Sequence, residues 1–298
     1  RSWHNKKQNK MKRFLALALL LVLPTLPASA NTVPASFTIK GSGFGHGVGL
    51  SQIGAKGQAL AGKSAVEILN YYFPTSQVIP VVDTQTIRVN IAHQVSVIKI
   101  SLTKNSSNNQ WFLSGGDTGT PVAGSKPIVF SIVDKQISTD SYGVADYWTL
   151  RWNESTTTVV VPSESTTTTL AHGFIQLRPV LVPGLGYRIE VTNTLNLRDH
   201  YLWGISEVSS SWPTAAMQAQ AIASRTYALN KAGIYRAACD CDLYSEISDQ
   251  KFLGYAKEME KGWGKFWKAA VTNTAGLTLT QNNLQISAYF GSSTGGLT

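Results

Sequence analysis

Apolar and polar positions alternate with a period of two through much of residues 81–191, the pattern of strands with one buried face. Ile87, Val89 and Ile91 mark one such run, Val95 to Leu102 are rich in β-branched residues, and a polar cluster from Asn105 to Asn109 breaks them. Two threonine-rich runs, Thr156 to Val161 and Thr166 to Thr169, read as exposed strands or loop edges of a β-rich insertion. Helical texture lies on either side. Ser51 to Ala61 has helical composition, and Ser64-Ala65-Val66-Glu67 forms a capping box that opens a short helix through Tyr71 and Tyr72, halted before Pro74. Beyond Trp212, Ser211 can cap a helix with Pro213 in its first turn, Ala215 to Leu229 hold no glycine or proline, and Gly233 stops it. Alanine at 215, 216, 219, 221, 223 and 228 leaves this helix thin, so neighbours can approach its backbone. The pattern predicts an α+β fold, mainly antiparallel β with an alanine-rich buried helix.

Before the first helix, Phe37-Thr38-Ile39-Lys40 reads as a short strand, followed by Gly41, Gly43, Gly45, Gly47 and Gly49 on every second residue. In an extended chain that spacing puts all five glycines on one face, where another backbone or a flat ligand such as a sugar ring comes close. The spacing does not satisfy the dinucleotide-binding fingerprint, because the third glycine falls on His46 or Val48.

The 298 residues, 43% hydrophobic, suffice for a sizeable core, and the net charge of +9 suggests nucleic acid at first sight. Six of the basic residues, however, fall between Arg1 and Arg13 with no acid among residues 1–30, and the remainder holds 20 basic against 17 acidic residues. The basic run leads into the apolar stretch Phe14 to Leu23 and then Pro24, Pro27 and Ala28-Ser29-Ala30, which reads as a signal peptide over 1–30; an uncleaved anchor is the alternative. A secreted or extracytoplasmic location is therefore expected, and nucleic acid is not an expected partner. Cys239 and Cys241 are separated by one residue, and a ring that small removes little loop entropy. A disulfide or a metal ligand pair is open, with unbridged thiols the expected state.

One acid precedes the alanine-rich helix. Glu207 is flanked by Trp203, Ile205, Val208 and Trp212, apolar neighbours able to raise its pKa as a general acid at neutral pH requires; a solvent-facing glutamate at a helix entrance is the plain alternative.

The run YLWGISEVSSSWPTAAMQAQAIASRTYAL, Tyr201 to Leu229, resembles the core of the SpoIID/LytB family, with its lead-in RIEVTNTLNLRDHYLWGI. GHGVGLSQIGA from Gly45, CDLYSEISDQKFLGY from Cys241 and AVTNTAGLTLTQNNLQISAYFGSSTGG from Ala270 resemble it too. The glycine-histidine motif stands late in the sporulation proteins, so the order here resembles actinobacterial relatives in which the segment is permuted. The resemblance divides the chain into a leader at 1–30, a glycine-histidine segment at 31–80, a β-rich insertion or subdomain at 81–170, and a core at 171–298 expected to continue past Thr298.

Sporulation-type members are lytic transglycosylases acting on glycan strands of peptidoglycan, which implies Glu207 as the catalytic acid and no cofactor or metal. The resemblance also implies substrate-binding roles for Arg225, whose fork suits the lactyl carboxylate of muramic acid, and for Gln218, where the family commonly has lysine. A salt bridge is the alternative for Arg225. His46 in the glycine-histidine motif is a candidate to hydrogen-bond a sugar hydroxyl or acetamide and Gln52 a further substrate-binding candidate, while Tyr289, Ser292, Ser293 and Thr294 near the carboxyl end resemble the family's serine-rich groove edge. For His46 a structural role is equally open, and for the serine run a polar turn. Asp249 is the candidate second carboxylate if the reaction is hydrolysis, with turn capping as its other role. The LytB branch implies a rival: a non-catalytic peptidoglycan binder that enhances an amidase, with other cell-wall hydrolases as partners.

Overall fold

Alternation becomes sheet wherever the β-branched runs predicted it. The computed structural model describes residues 36–38, 43–104, 109–163 and 166–294. The leader, Ile39 to Gly41, the turn after Lys104 and Gly295-Gly296 lie outside the described residues. In the first part, β1 (Leu50–Ser51) runs into α1 (Gln52–Leu60), capped by the Ser51 hydroxyl, which accepts from Gly54 N. The predicted capping box is present in full at α2 (Ala65–Tyr72), where Ser64 and Glu67 satisfy each other's backbone N–H.

After β2 (Gln77–Pro80) the chain builds two antiparallel sheets. Its strands are β3 (Thr86–Val95), β4 (Val97–Lys104), β5 (Trp111–Gly115), β6 (Val122–Gly124), β7 (Ile128–Val133), β8 (Gln136–Thr139), β9 (Gly143–Ala145), β10 (Trp148–Trp152), β11 (Thr157–Pro162), β12 (Thr167–Leu170), β13 (Phe174–Val182) and β14 (Gly186–Asn196). The order β12-β11-β4-β7-β8-β9 forms one sheet; the other runs β3-β14-β13-β10-β5-β6 and gains a short parallel strand, β15 (Leu243–Tyr244), beside β3. This second sheet takes strands from both sides of position 170. The threonine-rich runs are corrected by the structure. β11 lies between β12 and β4, and Thr157, Thr158 and Thr168 are buried, because β-branched threonine packs well on a pleated surface even where its alternation looks polar.

Beyond β14 a π-helical turn, Leu197–Tyr201, leads towards α3 (Thr214–Lys231), the predicted alanine-rich helix. Ser211 does not cap it. Pro213 occupies the N-cap with its carbonyl accepting from Ala216 and Met217, while Ser211 hydrogen-bonds Ser209. Small side chains let α3 act as a shared wall: Met217, Ala221 and Ala228 face the core of the sheets, and Ala219, Ile222 and Ala223 face a second core with Leu50, Ile68, Leu69 and Leu279. The chain ends through α4 (Tyr255–Glu258), α5 (Gly264–Asn273), a hairpin of β16 (Leu277–Gln281) and β17 (Leu284–Gln285) joined to β2, and β18 (Phe290–Gly291), which pairs in parallel with β1. Among the described residues no helix is long and apolar enough to cross a membrane.

Two expectations change here. Cys239 and Cys241 are joined as a disulfide rather than left as thiols; the intervening Asp240 adopts φ 52°, the left-handed turn such a small ring needs. Arg225 is not on a substrate-facing surface. Its side chain is wholly buried, Nε lies 2.9 Å from Asp83 Oδ2, and its terminal nitrogens donate to the carbonyls of Val271 and Leu277. Burial, opposed by Asp83, lowers its pKa to about 10, which leaves it cationic at neutral pH. Asp83, also fully buried, accepts in addition from Arg198 Nε at 2.5 Å and Gly276 N at 3.0 Å.

Removing one member of a buried pair strands the other charge, at about 3–5 kcal/mol. Arg225→Ala is therefore expected to lower unfolding stability by about that amount in urea titration; a loss under about 1 kcal/mol, the scale of an exposed pair, is the contrary outcome.

Candidate active site

Glu207 stands at the end of a segment zipped to a second one by backbone hydrogen bonds. Leu253 N donates to Gly204 O, Ser206 N to Lys251 O, and Lys251 N to the Glu207 carboxylate at 2.6 Å. Gly204 is required because a Cβ there would lie 2.4 Å from the Phe252 ring. Tyr201 stacks on that same ring and donates to Gln250 Oε1, whose amide donates to Ser224 O on α3. The carboxylate is thus fixed by main chain, and the segments on either side of it by an aromatic pair.

Ile205 and Val208, which the sequence places beside the acid, turn into the core, and Trp203 and Trp212 pack against it. The cavity above Glu207, about 350 Å³, has other walls: Gly45, His46 and Gln52 from the amino side, Tyr227 from α3, Ile247 to Asp249, and Tyr289 to Ser292. Phe44 and Ile247 stand exposed at its rim. Burial raises the pKa of Glu207 above the ordinary carboxylate value, opposed by Lys251 N–H and by the Gln52 side chain. Nε2 of the buried Gln52 completes no hydrogen bond of normal geometry, so its pull on the carboxylate is weak.

The glycine ladder is not an extended strand. Gly43, Gly45, Gly47 and Gly49 all have positive φ, which folds the segment back on itself. At Gly49 the close neighbour is another backbone, since a Cβ would sit 2.0 Å from Tyr289 O. Leu50 N donates to Tyr289 O, Ile53 N to Ser292 O, and Phe44 and Ser293 exchange backbone hydrogen bonds, so the first and last described segments close the cavity together. His46 Nδ1 accepts from Val48 N, which puts the proton of the neutral ring on Nε2 as a donor; its edge faces Tyr289.

Of the residues predicted as a site, the structure brings together Glu207, His46, Gln52, Tyr289 and Ser292. Ser293 is engaged through its main chain, Thr294 is half-buried off the cavity wall, and Gln218 is half-buried on α3 without lining the cavity. Arg225 points into the ion pair with Asp83. Asp249 lies at the cavity, but both its oxygens are taken: Oδ1 by Tyr227 Oη and Arg236 Nη2, Oδ2 by Arg236 Nη1 and Tyr244 N, at 2.8–3.0 Å. Tyr227 and Phe290 had no signal in the sequence beyond helix or strand texture. Elsewhere, Glu154, His172 and His200 bring ligand-type atoms within 4.8 Å of one another. The two rings stack nearly parallel, 4.2 Å apart, and His172 Nε2 is bonded to Glu258, so their lone pairs do not converge on one point.

Residues 186–281, from β14 through Glu207 and α3 to β16, match the family described as SpoIID, stage II sporulation protein. That match spans about a third of the chain. A stretch of 38 residues is also 55% identical to the amidase enhancer of Bacillus subtilis (strain 168), covering 13% of this chain and 5% of that protein. The SpoIID match holds Glu207, Tyr227 and Asp249 but neither 44–52 nor 289–292, so the walls that close the cavity come from outside it.

A carboxyl group whose folded pKa is raised favours the fold below its unfolded pKa and loses that contribution as pH rises through the folded value. Glu207→Gln, which keeps an acceptor for Lys251 N–H, is therefore expected to raise Tm at pH 7.5 and to give no gain at pH 4. An equal shift at both pH values would contradict a desolvated, ionisable Glu207.

Proposed function

We propose that this protein acts on the bacterial cell wall as a peptidoglycan lytic transglycosylase, exported to the wall, with Glu207 as its acid and base. The single observation that carries this reading is a lone available carboxyl group with a raised pKa in a cavity of substrate size, beside a second carboxylate already held by four donors.

In the reaction proposed, protonated Glu207 gives its proton to the oxygen bridging N-acetylmuramic acid C1 and N-acetylglucosamine O4, and the C1–O bond breaks. The resulting carboxylate accepts the proton of the muramic C6 hydroxyl as O6 bonds to C1. A 1,6-anhydro end forms and Glu207 is again protonated. One carboxyl group suffices because the nucleophile belongs to the substrate, where effective molarity is on the order of 10⁵ M or more. Hydrolysis calls for a second free carboxylate. Asp249 is the other carboxylate on the cavity wall, and its bidentate partner Arg236 with Tyr227 and Tyr244 N leaves it no oxygen to activate water. His46 Nε2–H and the Gln52 amide are suited to hold hydroxyl or acetamide oxygens of the sugar.

The rival reading, a binder that enhances a separate amidase, draws its support from the relative's name and from the glutamine at position 218. One digestion separates the two. On purified glycan strands the wild type is expected to release fragments ending in anhydromuramic acid by mass spectrometry, and Glu207→Gln to be slower by about 10²–10⁴-fold. Activity should fall on the alkaline side, as pH rises through the raised pKa of Glu207. Ordinary reducing ends would refute transglycosylation, and strand binding without any cleavage would favour the enhancer.

A further inference from the structure

A second cavity of about 330 Å³ adjoins the strip Tyr244 to Asp249. Ile247, Ser248 and Asp249 line the Glu207 cavity, whereas Tyr244, Ser245, Glu246 and again Ser248 line the second one, together with Asn90, Ile91, His93 and Ser163. Ser248 lines both. The strip is a fixed partition: Ser245 N donates to Asn90 O, Phe252 N to Ser245 O, Asp249 N to Glu246 O, and Tyr244 N to the Asp249 carboxylate.

We propose that this second cavity is a further sugar subsite, holding a hexosamine unit of the same glycan strand whose scissile bond lies at Glu207. The inference rests on the glycan reading of the first cavity. Its volume is at the lower end of the range of about 300–1,000 Å³ for small-molecule sites, which suits one sugar ring. The lining carries no lysine or arginine, so nothing there selects an anion, and three serine residues offer groups that exchange hydrogen bonds with hydroxyls. Tyr244 and His93 meet edge to face at 5.2 Å and give the wall the aromatic surface on which the C–H face of a sugar rests. His93 Nδ1 is bonded to the buried Glu190 carboxyl, which fixes the ring and leaves Nε2 for a sugar hydroxyl. A polymer that reaches from one cavity to the other over Ser248 is held on both sides of the partition, and register along the strand is then set away from the reacting bond.

Binding of denuded glycan tetrasaccharide and octasaccharide to the Glu207→Gln protein, measured calorimetrically, tests this without turnover. The octasaccharide is expected to bind about tenfold more tightly than the tetrasaccharide. In the same background Tyr244→Ala and Ser163→Trp, which empty and fill the second cavity, should each abolish that gain while leaving tetrasaccharide affinity unchanged, which also reports an intact fold. Equal affinity for both lengths, a gain retained in either variant, or a gain that needs stem peptides on the sugar overturns the subsite and leaves the Glu207 cavity standing. Binding of neither oligosaccharide overturns both.

Discussion

A buried charge has to be met by opposite charge and hydrogen bonds, and the carboxylate of Asp83 is met from three other parts of the chain at once. Arg225 comes from α3, Arg198 from the π-helical turn that leads to Glu207, and the Gly276 N–H from the connection between α5 and β16. Asp83 itself sits on the link from β2 into β3. The amino-side helices, the sheet, the central helix and the final hairpin are therefore registered against one another at a single point. Helix α3 can take this role because its alanines bring two cores against its backbone, and because its one guanidinium faces inward with four acceptors around it.

The candidate site uses that rigidity rather than repeating it. Glu207 is oriented by the Lys251 N–H, which favours its charged form, while burial favours the neutral one. Asp249, two residues before Lys251, is instead held by the guanidinium of Arg236. Two acids on one cavity wall thus differ in their partners: Glu207 accepts from a main-chain N–H, and Asp249 ties together Arg236, Tyr227 and the Tyr244 strip.

The capping box at Ser64 and the alanine-rich helix were legible in the sequence because each depends on near neighbours: a three-residue spacing, a run without breakers. The expectations that changed depend on what lies across space. A salt bridge was open for Arg225, but its partner was not legible, since Asp83, a single acid in a polar link, has no periodicity to announce it. Glycines on alternate residues suggested a strand, whereas their common property is positive φ. The threonines of β11 looked like a surface because the pattern of one strand does not reveal its neighbours. Residues such as Tyr227 and Phe290 reach the cavity only after α3 and β18 have been placed.

The parallel pairing of Leu50 with Phe290 has a temporal meaning as well as a spatial one. A chain that leaves the ribosome amino end first carries its glycine-histidine segment through both sheets before the partner strand exists, and contacts so distant in sequence form late. Until the two meet, the cavity that Glu207 lines lacks the walls given by residues 44–52 and 289–292. β18, made long after β1, is thus the piece that completes the cavity.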